Sequence, residues 1–218
     1  MNMNLFLNFV IKQLKQIKMK ENILLVKFEE GLTYNDFWNQ FELKLNSQKS
    51  GNLSEEEKNQ ANQLKLNFQR SSRINRTYEI SENLKNVLEK IKKTQNWILI
   101  SEDWCGDSAQ NVPYIAKIAD YSSKINLRIV PRDHNLDLMD KYLTNGARSI
   151  PKLIAFDEQG DELFQWGARP KEAQDLVTKL KNEGKNKTEF LEALHLWYGK
   201  NRGKNLESEF VEILRKLI

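Results

Sequence analysis

The 218-residue chain has one cysteine, two histidines, four prolines and nine glycines, and each scarcity closes a class of function. A lone Cys105 cannot form an intrachain disulfide, which excludes a disulfide-stapled secreted scaffold and leads us to expect a reducing compartment, the cytoplasm. Two distant histidines, His134 and His195, with that single cysteine give no zinc-ligand spacing. Neither a phosphate-cradling loop nor a serine-hydrolase elbow occurs, so no metal and no cofactor is expected. Long hydrophobic runs are missing as well. The apolar stretch Leu5 to Ile11 falls short of the ~18 to 20 residues that span a bilayer, and no transmembrane segment is expected. Lys12, Lys15, Lys18 and Lys20 follow that stretch, whereas a signal peptide carries its positive charges in front. With Leu14 and Ile17 it reads as an amphipathic helix docked on the body. A membrane-surface helix and a start at Met19 rather than Met1 are the alternatives.

What is present describes a protein that can bury a core, as one domain with extensions. The net charge of +4 hides an asymmetry: residues 1–96, 97–168 and 169–218 carry +5, −4 and +3. The basic residues are scattered over helix-like segments as solvated faces, not gathered with aromatics on one face, so no nucleic-acid partner is expected.

Helical signals dominate the first third. Thr33 caps a helix over 33–46 with Phe37, Trp38, Phe41 and Leu45 on one stripe. Gln48–Asn52 is a polar loop, and Ser54 with Glu57 makes a capping-box start for a second helix through Leu64 and Phe68. Arg70, Arg73 and Arg76 form a basic edge on it, read as solvated or ion-paired, with a site for an anionic partner as the alternative. Ser81 caps a third helix carrying Leu84, Val87, Leu88 and Ile91. From there the pattern alternates: strand 96–101, helix from Cys105 to about Ser122 with Pro113 inside it, strand 127–130, helix 136–143 stopped by Asn145-Gly146, and a hairpin of strands 152–156 and 161–166. Helices over 170–181, 188–198 and 206–217 complete the chain.

Cys105 stands at the one junction that makes sulfur reactive. Trp97-Ile98-Leu99-Ile100 is strand-like, and Val112, Ile115, Ile118 and Ala119 recur at helical spacing. A cysteine between them meets the positive end of a helix dipole, which favours thiolate over thiol.

Trp104-Cys105-Gly106 resembles the Trp-Cys-Gly-x-Cys active-site motif of the thioredoxin superfamily. Ile150-Pro151, followed by the strand Lys152–Phe156, resembles the element that carries that family's cis proline, and Gly167 matches a family glycine near the active-site face. Trp-Cys-Gly-Asp followed by a small residue is similar to a subgroup of bacterial thioredoxin-like proteins. The resemblance implies an α/β thioredoxin-like fold, a central mixed sheet flanked by helices, over 80–183, with helical extensions at 1–79 and 184–218. Ser108 departs from it, because a serine hydroxyl cannot replace the resolving thiol of a dithiol enzyme.

Cys105 is therefore the candidate nucleophile, with Trp104, Gly106, Asp107 and Ser108 as its motif. Trp104 reads as a surface platform or a core residue, and Gly106 lets the chain turn. Asp107 either favours the helix N-terminus or raises the thiol pKa beside it, together with Glu102 and Asp103. The Ser108 hydroxyl is expected to hydrogen-bond the sulfur. Ile150, Pro151, Arg148 and Gly167 are the substrate-binding candidates. The resemblance implies that Pro151, if cis, places the Ile150 backbone beside Cys105, where substrate chains pair edge-on. Arg148 balances Asp107, meets the carboxylate of an anionic thiol, or is a solvated loop residue. His134 reads as a loop histidine with a proton shuttle as the alternative, and His195 has no evident partner.

The expected function is a monothiol oxidoreductase, in which Cys105 forms a mixed disulfide with a protein thiol or a low-molecular-weight thiol that an external thiol resolves. A non-catalytic binding module is the alternative. An iron–sulfur binder resembling monothiol glutaredoxins is disfavoured by Trp104, Asp107 and Ile150-Pro151.

Overall fold

The computed structural model describes residues 22–47 and 54–218. The helix expected over Leu5–Ile17, the choice of Met1 or Met19 and the loop Gln48–Asn52 lie outside the described residues.

Four strands form one mixed sheet. Strand β1 (Gln95–Ser101) pairs parallel with β2 (Ile125–Pro131) and antiparallel with β3 (Lys152–Phe156), which pairs antiparallel with β4 (Glu162–Gly167), giving the order β2-β1-β3-β4. Trp97 to Ile100 of the central strand are 0% exposed, because helices cover both faces. That double burial is why this strand reads as an unbroken apolar run rather than an alternation.

Side chains alternate between the faces. Trp97 and Leu99 enter the larger core with Ile74 of α3 (Glu55–Thr77), Leu84 and Leu88 of α4 (Glu82–Leu88), Ile115 of α5 (Gly106–Tyr121) and Phe210 of α9 (Lys204–Arg215). Ile98 and Ile100 point the other way, to Leu24 and Phe28 of α1 (Ile23–Glu30) and Leu138 of α6 (Leu136–Met139). Each large apolar side chain so buried contributes roughly 1.5–3 kcal/mol. Cys105 packs against the edge of this second core.

The capping residues act as the sequence predicts. Thr33, Ser54 and Ser81 accept from the backbone N–H of Asp36, Glu57 and Leu84 at the starts of α2 (Tyr34–Asn46), α3 and α4, and Ser54 and Glu57 close a capping box. The helix expected over 136–143 stops at Met139. Thr144 and Ala147 exchange backbone hydrogen bonds at 2.9 and 3.0 Å around Asn145 and Gly146, whose φ angles are 51° and 76°. This tight turn needs positive φ at both central residues, and between it and the helix Lys141 and Tyr142 bond three residues back, to Leu138 and Met139.

Pro113 lies inside α5 and leaves the Ala109 carbonyl without its helical donor. The Ser71 hydroxyl of α3 donates to that oxygen at 3.1 Å, so the proline's defect becomes an anchor for the neighbouring helix. Asn67 of α3, fully buried, donates from Nδ2 to the Asp103 carbonyl at 2.9 Å. Helix α3 thereby grips the turn in front of Cys105. At the other end of the chain, α7 (Lys171–Asn182) and α8 (Lys187–Asn201) share a small core of Ala173, Val177, Leu194 and Tyr198, which holds α8 over the start of α5.

Candidate active site

Cys105 is the N-cap of α5, with extended backbone and Sγ accepting from the Ser108 backbone N–H at 3.5 Å. The thiol in turn donates to the Ile150 carbonyl at 3.4 Å. Ile150 precedes Pro151 in a cis peptide bond. Gly167 lies behind that turn with φ of 114°; a Cβ there would sit 2.2 Å from the Pro151 carbonyl oxygen. Its place is thus against the Pro151 backbone, where only glycine fits.

Burial pushes the Cys105 thiol pKa up, and the Asp107 charge pushes it further, against opposing hydrogen bonds from Ser108 and Asp107. The helix terminus does not outweigh desolvation here, so the resting sulfur is a protonated thiol bonded to Ile150. The bond from Ser108 is the backbone one. Its hydroxyl is buried without a partner in hydrogen-bonding geometry, although it lies where it favours the thiolate.

Asp107 is nearly buried and fully partnered. Arg169, between β4 and α7, reaches its Oδ2 from Nε at 2.9 Å and from Nη2 at 2.7 Å. Tyr198 of α8 donates its hydroxyl to Oδ1 at 2.7 Å, and Asn111 donates to both the Tyr198 oxygen and the Asp107 carbonyl. Of the readings of Arg148, balance of Asp107 is corrected: Arg148 pairs with Asp140, Nε to Oδ1 at 2.6 Å and Nη2 to Oδ2 at 2.8 Å. Arg169 was within reach of sequence reasoning, since it follows Gly167 by two residues, but Asn111 and Tyr198 carry no local signal.

Trp104 keeps 41% of its surface exposed, with the Arg132 guanidinium 4.6 Å over its ring. Arg132 also donates to the Arg148 carbonyl at 3.3 Å, linking the tryptophan to the loop before Pro151. His134 is exposed. His195 is brought to the site: its ring stands over Gly106, with Cε1 and Nε2 at 3.0 and 3.1 Å from where a Cβ would lie. Burial and the charge of Arg70 push its pKa down to about 4, so the imidazole is neutral at pH 7. Among the described residues, no cluster of three or more His, Cys, Asp or Glu side chains can hold a metal ion, and no helix is long and apolar enough to cross a membrane.

A mixed sheet, a cysteine capping the helix that follows its central strand, and an Ile-Pro turn against the sulfur define a thioredoxin-like protein. The sequence model of the thioredoxin family matches residues 52–181, more than half of the chain, and the chain belongs to that family. Among solved structures, a protein of unknown function from Pseudomonas aeruginosa is similar with a TM-score of 0.59 at 15% identity, over 88% of this chain and 96% of that one. An HIV epitope-scaffold is similar with a TM-score of 0.58 at 16% identity, over 87% and 95%. These likenesses speak to the fold alone. No curated protein matches.

Proposed function

We propose that this protein is a monothiol oxidoreductase of the bacterial Trp-Cys-Gly-Asp-Ser type, acting in a reducing compartment such as the cytoplasm. Its Cys105 thiolate attacks a disulfide of a protein or a low-molecular-weight thiol. A bond forms between Cys105 Sγ and one sulfur, the other sulfur leaves as thiolate, and the Cys105 proton passes to solvent. An external thiol then attacks the mixed disulfide and regenerates Cys105, since Ser108 cannot.

The carrying observation is the seat of the sulfur, at the N-terminus of α5 and 3.4 Å from the Ile150 carbonyl. The backbone beside it suits a substrate chain pairing edge-on with Ile150. Pro151 and Gly167 act by shaping that backbone. The raised thiol pKa favours a second reading, in which the same groove binds a partner without turnover.

The test is incubation with a small disulfide at neutral and alkaline pH, read by intact mass. We expect one adduct per chain in the wild type, forming faster as the pH rises, and none in Cys105→Ser. Wild-type protein that stays unmodified at alkaline pH, with Cys105→Ser fully active in cells, gives the answer to the binding module.

A further inference from the structure

The acidic excess of residues 97–168 suggests at first that Cys105 would attract cations. The pairings around the site reverse that. Asp103 is bonded by Lys44 Nζ at 2.8 Å, Asp133 by Arg132 at 2.7 Å, and Asp107 by Arg169 at 2.7 Å. Glu102 accepts only from the Asp133 backbone N–H at 2.9 Å among the described residues, and on the other side of the site a cation is left without a directly bonded carboxylate. Arg70 of α3 is half-buried and donates from Nη1 to the neutral Asn67 Oδ1 at 3.2 Å. Among the described residues it makes no ion pair. The Asp107 charge reaches it only from beyond contact distance, and Arg73 opposes it. A partly desolvated guanidinium with no carboxylate in direct contact is costly, and an arriving anion would offset that cost.

Arg70 stands at the reacting end of the molecule. Its Nη1 lies 3.7 Å from where a Gly106 Cβ would be, beside the His195 Cε1 and Nε2 atoms at 3.0 and 3.1 Å. The His195 Nδ1 is buried without a partner. The His195 ring and the Arg70 guanidinium therefore converge on Gly106, the residue next to Cys105, at the N-terminus of a 16-residue helix, whose dipole adds to the positive field.

We propose that Arg70 and His195 form a subsite for the carboxylate of an anionic thiol or disulfide that reacts at Cys105. This rests on the thiol-exchange reading and specifies the charge of the partner. Arg70 supplies the countercharge and the His195 ring a hydrogen bond, while Arg169 stays engaged with Asp107. Both groups come from the helices outside the sheet, which gives α3 and α8 a part in recognition.

The experiment compares the reaction of Cys105 with three disulfides: the dianionic nitrobenzoate disulfide, neutral dipyridyl disulfide and cationic cystamine. The neutral rate corrects for any change in thiol acidity. In Arg70→Glu the anionic rate, relative to the neutral one, should fall about tenfold, which corresponds to ~1.4 kcal/mol. The relative cystamine rate should rise, and Arg70→Lys should keep most of the wild-type preference. Unchanged ratios in Arg70→Glu overturn the subsite. If Cys105 proves inert to all three, the exchange reading fails and a second measurement decides the subsite. Glutathione disulfide is then titrated calorimetrically into Cys105→Ser and into Cys105→Ser with Arg70→Glu. Binding to the first alone supports the proposal, and no binding to the first, or equal binding to both, sinks it.

Discussion

Asp107–Arg169 and Asp140–Arg148 are two aspartate–arginine pairs near the same cysteine, and their settings are opposite. The side chains of Arg169 and Asp107 are 20% and 10% exposed, and Tyr198 and Asn111 complete the carboxylate's surroundings. Those of Arg148 and Asp140 are 48% and 49% exposed. The exposed pair has the better fork, with two parallel bonds at 2.6 and 2.8 Å. Geometry alone would rank it first. Solvent screening ranks it last, because water already solvates both of its charges, whereas the charges of the inner pair depend on each other and on a few protein hydrogen bonds.

The largest effect expected from this contrast is on stability. Arg169→Ala leaves the Asp107 carboxylate buried without its cation, an arrangement that costs about 3–5 kcal/mol. The urea midpoint should drop accordingly, with the slope of the transition unchanged. A loss under about 1 kcal/mol, the range of exposed pairs, would place the two pairs in one class after all. Arg169 also donates to Gln174 Oε1 at 2.8 Å, so Gln174→Ala serves as the control for that lesser bond.

Next comes the acidity of the thiol. The Asp107 charge raises the Cys105 pKa, so removing the charge must lower it. In Asp107→Asn the alkylation rate of Cys105 should begin its rise at lower pH than in the wild type, and the two profiles should meet at high pH where both thiols are ionised. Asp140→Asn should leave the profile in place. A profile that does not move in Asp107→Asn would mean that Arg169 already neutralises the carboxylate as seen from the sulfur. Burial, the larger cause, would then set the acidity by itself.

How much of this was legible in the sequence follows from the range of each interaction. The caps at Thr33, Ser54 and Ser81 and the strand Trp97–Ile100 depend on neighbours a few residues away, and they stand where the pattern puts them. Cys105 and Ile150 carry a motif each, and the fold joins them. Helix α6 is shorter than its pattern because Lys141 and Tyr142 bond three residues back, to Leu138 and Met139, before the chain enters the positive-φ turn at Asn145 and Gly146. The pairings of Asp107 are not legible for another reason, although Arg169 stands two residues after a motif glycine. Tyr198 lies 91 residues away and Arg169 62 residues away, and no short-range pattern encodes such pairings. Of the three readings of Arg148, balance of Asp107 fails because Asp140, eight residues off, holds it in a half-exposed pair.

The smallest effect is expected at that outer pair, and it is the one that sharpens the contrast most. Arg148→Ala removes a fork whose charges water can replace, so the urea midpoint should stay within measurement error. The contact that holds the loop uses the Arg148 backbone carbonyl, which accepts from Arg132 at 3.3 Å and survives the substitution. Salt should act the same way: raising ionic strength past the point where the Debye length falls to ~3 Å should make wild type and variant indistinguishable. The same variant tests Arg148 as a substrate contact. If its guanidinium only serves Asp140, the ratio of anionic to neutral disulfide rates at Cys105 stays at the wild-type value in Arg148→Ala. A fall in that ratio with no change in stability would move the anionic partner's carboxylate from the α3 side of the cysteine to the Pro151 side.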